Sequence, residues 1–219
     1  RAFNWKRANP LGSLRQLKKN RIVFGFALAL FFLYIASHSV QSTWSYFGAE
    51  MFDWESSDIG FSLSVVGVLV AIVQAGLIGN LTLKLGYKKT VHLGLFFTCA
   101  GLALFAITTT TTMLYGFLIV YVLGGLAGPT IQAFMSNQVP RNEQGELQGG
   151  ITSLMSLAAI FGPSMMGETF YYFTKPDYYF PGAAFALGAL FALICWLLAS
   201  RVLKQAKEPK TDKPSAESV

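Results

Sequence analysis

The cations of this chain lie almost entirely on one side of a series of apolar runs. Six such runs occupy 22–45, 59–80, 91–107, 113–136, 147–173 and 181–203. Each is close to the ~20 residues that a helix needs to cross the hydrocarbon core of a bilayer. If each run spans the membrane once, all 17 Lys and Arg residues except Lys175 fall on the same side. The positive-inside rule then predicts six transmembrane helices with both chain ends in the cytoplasm.

Composition and the connecting segments support an all-α membrane protein. Apolar residues make up 53% of the chain and charged residues 13%, whereas about a quarter of the residues of a soluble domain are charged. Segment 1–21 carries cations and no acid, and segment 43–58 carries acids and no cation. The net charge of +6 therefore sits beside membrane helices. Such charge is attracted to anionic lipid and does not predict a nucleic-acid partner.

Three regions are predicted. Residues 1–21 form the end of a central cytoplasmic loop and an interfacial helix, in which Asn9 is the N-cap and Pro10 the first helical residue. Residues 22–203 form the six-helix bundle, and 204–219 form a disordered cytoplasmic tail. Because the chain starts with Arg1 and not with Met, we expect either a fragment of a longer transporter or a genuine half-length protein.

The sequence does not predict an enzyme, a metal site or a cofactor. It contains no Gly-rich phosphate loop and no set of residues able to form a catalytic triad in one wet site. Cys99 and Cys195 both lie inside apolar runs. They are interpreted as small packing residues and not as a disulfide or metal ligands.

Two runs carry glycine and proline at positions where helices bend or pack closely. Gly124 and Gly128 are followed at once by Pro129, and Gly162 is followed by Pro163. Proline removes one helical hydrogen bond and kinks the helix. Two interpretations stay open: these residues set packing geometry alone, or they bend helices that line an aqueous cavity.

A few polar side chains inside the runs are candidates for a substrate cavity: His38, Gln41, Gln74 and Gln132. His38 lies among several hydroxyl residues, where it either titrates or stays neutral and hydrogen-bonded. The glutamines either contact substrate or bond between helices. Both alternatives remain open for each residue.

Glu168 is the one acid inside an apolar run. A carboxylate within the membrane is costly and is therefore a functional candidate, here for proton coupling. It lies ~30 Å along the fifth run at 1.5 Å per residue, close to the outer interface. The alternative interpretation is a carboxylate wetted at the outer mouth.

A loop motif leads to a family. Gly79, Lys84, Gly86, Lys88 and Lys89 follow the second run. This pattern resembles the second copy of the loop motif of the major facilitator superfamily, with Leu83 in place of the motif's acid. Segments 54–63, 124–133, 136–139 and 144–149 resemble the tetracycline-exporter branch of its drug–proton antiporters.

The resemblance implies the C-terminal six-helix half of a major facilitator fold in the bacterial inner membrane. It implies as partners an N-terminal half, the lipid bilayer, protons and an amphipathic small molecule that is exported by alternating access. Val70 and Cys99 stand where tetracycline exporters carry His and Asp, which weakens tetracycline itself as the substrate. The alternatives are a metabolite or sugar carrier of the superfamily, or a non-transporting receptor or assembly protein.

Overall fold

The computed structural model describes residues 20–208, and all regular secondary structure in this part of the chain is helical. The predicted interfacial helix and the tail beyond Glu208 lie outside the described residues. Seven α-helices, one π-helical turn and two 3-10 turns occur in this order: α1 Arg21–Phe52, α2 Ser56–Ile72, the π turn Val73–Leu77, α3 Ile78–Ala106, α4 Thr111–Leu123, the 3-10 turn Gly124–Leu126, α5 Ala127–Ser136, α6 Gln144–Phe173, the 3-10 turn Pro176–Tyr178 and α7 Ala183–Gln205.

Five helical stretches between residues 20 and 208 are long and apolar enough to cross a membrane. One of them, Ser56–Ala106, has 51 residues, which is about 76 Å at 1.5 Å per residue and more than twice the hydrocarbon thickness. Inside it, Gly86 has φ 80° and ψ 166°, which is not helical. The chain is therefore a multi-pass helical membrane protein, and its longest apolar stretch is interrupted at Gly86.

Capping side chains define the ends of the first helix and the start of the next. The Asn20 Oδ1 accepts hydrogen bonds from the Ile22 and Val23 N–H groups at 2.9 and 3.4 Å. At the other end Asp53 is left-handed with φ 52°, so the chain turns sharply. Glu55 and Asp58 then form a reciprocal capping box at the start of α2. The acids between the first two runs thus serve to begin a helix.

The bundle has two chemically different ends. Its basic end holds the start of α1, the region around Gly86 and the end of α7, since Val202 lies against Gly25 and Glu208 lies against Gly86. Its acidic end holds Asp53, and the start of α7 meets the end of α3 there through Gly182 and Ala106. The last helix, α7, therefore runs antiparallel to α1 and to the second part of α3.

Glycines let the central helices approach closely. Gly188 lies against Ser39, Gly94 against the backbone of Ala127, and Gly101 against the backbone of Tyr121. A Cβ at any of these glycines would overlap its neighbour. Backbone contact of this kind stabilises helix pairs in lipid, where the hydrophobic effect between helices is absent.

The buried polar side chains of residues 20–208 are all hydroxyls: Ser39, Thr43, Ser62, Thr90, Thr98, Thr108 and Thr130. Each donates to a backbone carbonyl three or four residues earlier in the chain. Burial of these groups therefore costs little, because none leaves its hydrogen-bonding capacity unused.

Two helices pack along one side only. In α2 the single buried residue is Ser62, and in α6 only six of the 30 residues are buried, whereas Ile160 and Phe161 are 64% and 61% exposed. Ala at Gly60, Gly67, Gly145 or Gly167 would meet nothing within 4 Å. Both helices thus present an apolar face with small residues that no described element covers.

The helix bounds differ from the predicted runs in two places. The first helix continues beyond the run's end at 45 to Phe52, because the largely apolar segment 46–52 completes further helical turns before Asp53. Segment 81–90, expected as a loop, is helical except at Gly86. Its cations are compatible with a helix that emerges from the hydrocarbon.

Candidate functional site

A cavity lies near the middle of the helices that border it. Its volume is about 340 Å³, within the range of small-molecule sites. It is bordered by α1, α2, α3, α4, α5, α6 and the turns between them, through Leu33, Tyr34, Ser37, Gln41, Val70, Gln74, Thr98, Tyr121, Val122, Gly124, Gly125, Gly128, Pro129 and Met155.

Both helical irregularities within the spans adjoin this cavity. The π turn Val73–Leu77 contains Gln74, and π turns inside helices occur frequently at functional sites. The 3-10 turn Gly124–Leu126 precedes Pro129, whose missing N–H removes the helical bond to the Gly125 carbonyl. Two irregular stretches of helical backbone therefore border the cavity.

Two of the predicted cavity residues lie in its wall. The Gln41 Nε2 donates to the Ser37 Oγ at 3.1 Å, and this hydroxyl donates to the Tyr34 carbonyl at 2.7 Å. Gln74 is exposed, and its amide has no hydrogen-bond partner within residues 20–208. Gln74 is therefore the more available of the two amides for a ligand.

Gln132 lies outside the lining but is connected to it. Its Nε2 donates to the Oη of Tyr34 at 3.0 Å, and Tyr34 lines the cavity. This hydrogen bond joins α5 to α1. Gln132 thus bonds between helices and positions a side chain of the cavity wall.

His38 lies between α1 and α6 and is not part of the lining. Its ring covers Gly162, where a Cβ would overlap the Cδ2 and Cγ atoms. Pro163 follows within α6. The imidazole therefore sits against the point at which α6 is weakened.

Glu168 is exposed on α6, about one and a half turns of helix before its end at Phe173. It does not line the cavity. The structure thus separates this carboxylate from Gln41 and Gln74, and its role in proton coupling stays a prediction.

The loop motif surrounds the break at Gly86. The Glu208 carboxylate lies against Gly86 and accepts a hydrogen bond from the Lys88 backbone N–H at 3.3 Å. Leu83, which stands where the motif's acid would be, is 43% exposed. A carboxylate from the C-terminal segment is therefore present at the motif although its own acid is absent.

The cavity wall is neutral. No Asp, Glu, Lys, Arg or His occurs in the lining. Val70 lies in the wall, and Cys99 directly follows the lining residue Thr98. Within residues 20–208 no group of three His, Cys, Asp or Glu side chains is arranged to hold a metal. The wall therefore suits a ligand with an apolar body and neutral hydrogen-bonding groups.

Sequence reasoning did not select Tyr34, Tyr121 or Met155 as site residues, although all three line the cavity. A tyrosine inside an apolar run was the available signal for Tyr34 and Tyr121, since a phenol in a span needs a partner. Nothing in the sequence distinguishes Met155 from a packing residue.

Comparison with known proteins identifies the family. The family model described as Major Facilitator Superfamily matches residues 24–218. The chain belongs to this superfamily. Helices with a cavity near their middle are what a secondary transporter of such a family requires.

Several relatives are tetracycline resistance proteins. The class C protein of Escherichia coli is 32% identical over 187 residues, covering 85% of this chain and 46% of that protein. The class G protein of Vibrio anguillarum is 34% identical over 172 residues, covering 78% and 43%. The human Hippocampus abundant transcript-like protein 1 is 26% identical over 232 residues, covering 99% and 46%. The chain spans less than half the length of each of these major facilitator relatives.

Proposed function

We propose that this chain is the C-terminal six-helix half of a proton-coupled secondary transporter that exports amphipathic small molecules. The observation that carries the proposal is the neutral cavity of about 340 Å³ midway along the spans of a major facilitator protein. Relatives named as tetracycline resistance proteins support a drug as the exported compound.

Six spans follow if Gly86 divides the stretch Ser56–Ala106. The part before Gly86 and the part after it are each long enough to cross the bilayer. With six spans the basic end faces the cytoplasm under the positive-inside rule, and both chain ends lie there. We place the protein in the bacterial inner membrane, since the tetracycline resistance relatives are bacterial.

The uncovered faces of α2 and α6 are suited to an N-terminal half. Gly60, Gly67, Gly145 and Gly167 leave space along these two helices, and small residues let another helix approach closely. In this arrangement the cavity is one wall of a site between two halves. Rocking of the halves about this site gives alternating access.

The substrate is recognised mainly by apolar contact and by a few amides. Gln74 has no described partner and Gln41 bonds only to Ser37, so both are available to neutral polar groups of a ligand. Val70 offers no metal ligand where tetracycline exporters carry His. We therefore favour an amphipathic drug that does not depend on a chelated metal.

Helix bending and proton coupling are assigned to different residues. The 3-10 turn Gly124–Leu126 with Pro129, and Pro163 within α6, let α5 and α6 bend while the cavity opens and closes. Proton coupling depends mainly on the other half, and Glu168 is the candidate in this one. Its exposure at the acidic end gives it access to protons from outside the cell.

The test is pH-gradient-driven uptake of fluorescent cationic dyes, neutral amphiphiles and tetracycline into inverted vesicles that contain the full-length transporter. We expect gradient-dependent uptake of at least one compound. Gln74→Leu should lower its uptake three- to tenfold, the effect of one lost hydrogen bond of about 0.5–1.5 kcal/mol. Gln205→Leu, at the exposed end of α7, is the matched control and should be unchanged.

Absence of uptake for every compound, with the protein shown to be folded, would remove the export proposal. A metabolite or sugar carrier would then be tested with radiolabelled sugars and organic acids. If none of those moved either, a receptor or assembly role would remain.

A further inference from the structure

The third and last spans form a groove whose register is fixed by named contacts. α3 and α7 run antiparallel, with Gly182 against Ala106 at the acidic end. Nearer the basic end the Trp196 Nε1 donates to the His92 Nδ1 at 2.9 Å. Because the two helices are antiparallel, Lys88, four residues before His92, lies level with Ser200, four residues after Trp196. Each residue rises about 1.5 Å along its helix.

The hydrogen bond to Trp196 determines where the His92 proton lies. An indole N–H only donates, so the Nδ1 of His92 accepts and a neutral ring carries its proton on Nε2. This N–H has no hydrogen-bond partner within residues 20–208. His92 is partly exposed. A donor fixed in orientation is therefore available to an acceptor from outside the described chain.

Two cations lie on the basic-end side of the His92 Nε2–H donor. Lys89 precedes His92 by one turn of α3, and Arg201 follows Trp196 by little more than one turn of α7. Both are exposed, and neither forms an ion pair with another residue in the part of the chain that the structure describes. The nearby acid Glu208 is turned to Gly86 and the Lys88 backbone N–H.

Exposed apolar side chains continue the groove toward the middle of the membrane. Phe96 lies one turn beyond His92 and is 48% exposed, while Leu193 and Leu197 are 42% and 56% exposed. The ring of Phe96 packs edge-on against Trp196, with centroids 6.0 Å apart. The groove is thus cationic at one end and apolar along the rest.

We propose that this α3/α7 groove, made by Lys89, His92, Phe96, Leu193, Leu197 and Arg201, binds one anionic phospholipid. The headgroup phosphate accepts from the His92 Nε2–H and pairs with Lys89 and Arg201, and the acyl chains lie along Phe96, Leu193 and Leu197. The inference rests on the proposed orientation, which puts the groove in the cytoplasmic leaflet. The apolar part of the groove can be filled by the acyl chains of a lipid. Free phosphate has no apolar part that would fill it.

The experiment titrates the purified full-length transporter in detergent with phosphatidylglycerol and counts bound lipids by native mass spectrometry. Phosphatidylcholine and inorganic phosphate are the two comparison probes. We expect one phosphatidylglycerol to bind more tightly than phosphatidylcholine, with no competition from millimolar phosphate. Lys89→Gln with Arg201→Gln should weaken its binding about 25-fold, since each cation contributes roughly fivefold.

The control removes the same charge elsewhere, through Arg141→Gln with Lys175→Gln, and should change binding less than twofold. A photoactivatable phosphatidylglycerol should label the peptide that contains residues 193–201. Equal binding of both lipids, displacement by phosphate, or equal loss in the two double variants would overturn the proposal. His92→Phe tests the donor separately from the cations. These measurements need no transport, so their failure and that of the export proposal are distinguishable.

Discussion

Gln132 donates a hydrogen bond to Tyr34 across 3.0 Å and so joins the fourth span to the first at the wall of the cavity. The two residues are 98 positions apart in the chain. Tyr34 lines the cavity and Gln132 does not. The bond therefore links the helix that carries Pro129 to the helix that carries Gln41.

We expect Tyr34→Phe and Gln132→Ala to act through this one bond. A hydrogen bond between membrane helices contributes on average about 0.6 kcal/mol, so the coupling of the two substitutions should be small but measurable. The measurement is a double-mutant cycle on the thermal stability of the full-length transporter. Additive effects of the two substitutions would contradict the coupling.

Gly162 should tolerate no side chain while His38 is present. Gly162→Ala places a methyl group inside the imidazole ring, and overpacking of this kind costs typically 1–3 kcal/mol of stability. We expect a lowered unfolding temperature that His38→Ala largely restores. Gly167→Ala is the matched control in the same helix, since nothing lies within 4 Å of a Cβ there. Equal effects of the two alanines would show that helix propensity, not contact with His38, governs the result.

Gly86 should not tolerate substitution by a residue with a Cβ, for two independent reasons. Its φ of 80° is unfavourable for any residue with a Cβ, which costs about 1–2 kcal/mol, and a Cβ would also overlap the Glu208 carboxylate. We expect Gly86→Ala to destabilise the transporter and Glu208→Ala to relieve only the second part. Gly79→Ala, where space is open, should have little effect. Full rescue by Glu208→Ala would argue against the backbone contribution.

The predicted topology is tested by labelling with a membrane-impermeant maleimide. In a full-length background without other cysteines, including Cys99→Ala and Cys195→Ala, the reporters are Lys84→Cys and Ser57→Cys. Both positions are exposed. In inverted vesicles Lys84→Cys should react and Ser57→Cys should not, and intact cells should give the reverse. Labelling of both from the same face would contradict a division of the apolar stretch at Gly86.

The membrane class and its helical runs follow from the sequence, because hydropathy and loop charge depend only on the amino acids in each local segment. The ends of the helices follow less well. The segment 46–52 at the end of α1 is largely apolar apart from Glu50, and the helical segment around Lys84 carries three cations. Hydropathy does not distinguish charged residues in a helix leaving the membrane from a loop. The π turn at Gln74 is a backbone irregularity for which no residue type is diagnostic.

The candidate site was predictable in part. Gln41 and Gln74 were selected because amides are rare in apolar helices, and both lie in the wall. The contact of His38 with Gly162 and the bond of Gln132 to Tyr34 join residues about a hundred positions apart. Such pairs depend on how helices pack, and a single sequence does not contain that information.

The central claim is that the cavity beside Gln74 holds the transported compound. In the same cysteine-free, full-length background, the rate at which a small permeant thiol reagent modifies Gln74→Cys is measured with and without a transported dye. At ten times the dissociation constant of the dye, modification should slow about elevenfold, since only the unoccupied fraction reacts. Gln205→Cys, outside the cavity, should react at an unchanged rate. If the dye is transported but leaves the rate at position 74 unchanged, the compound binds elsewhere and the account of this cavity is wrong.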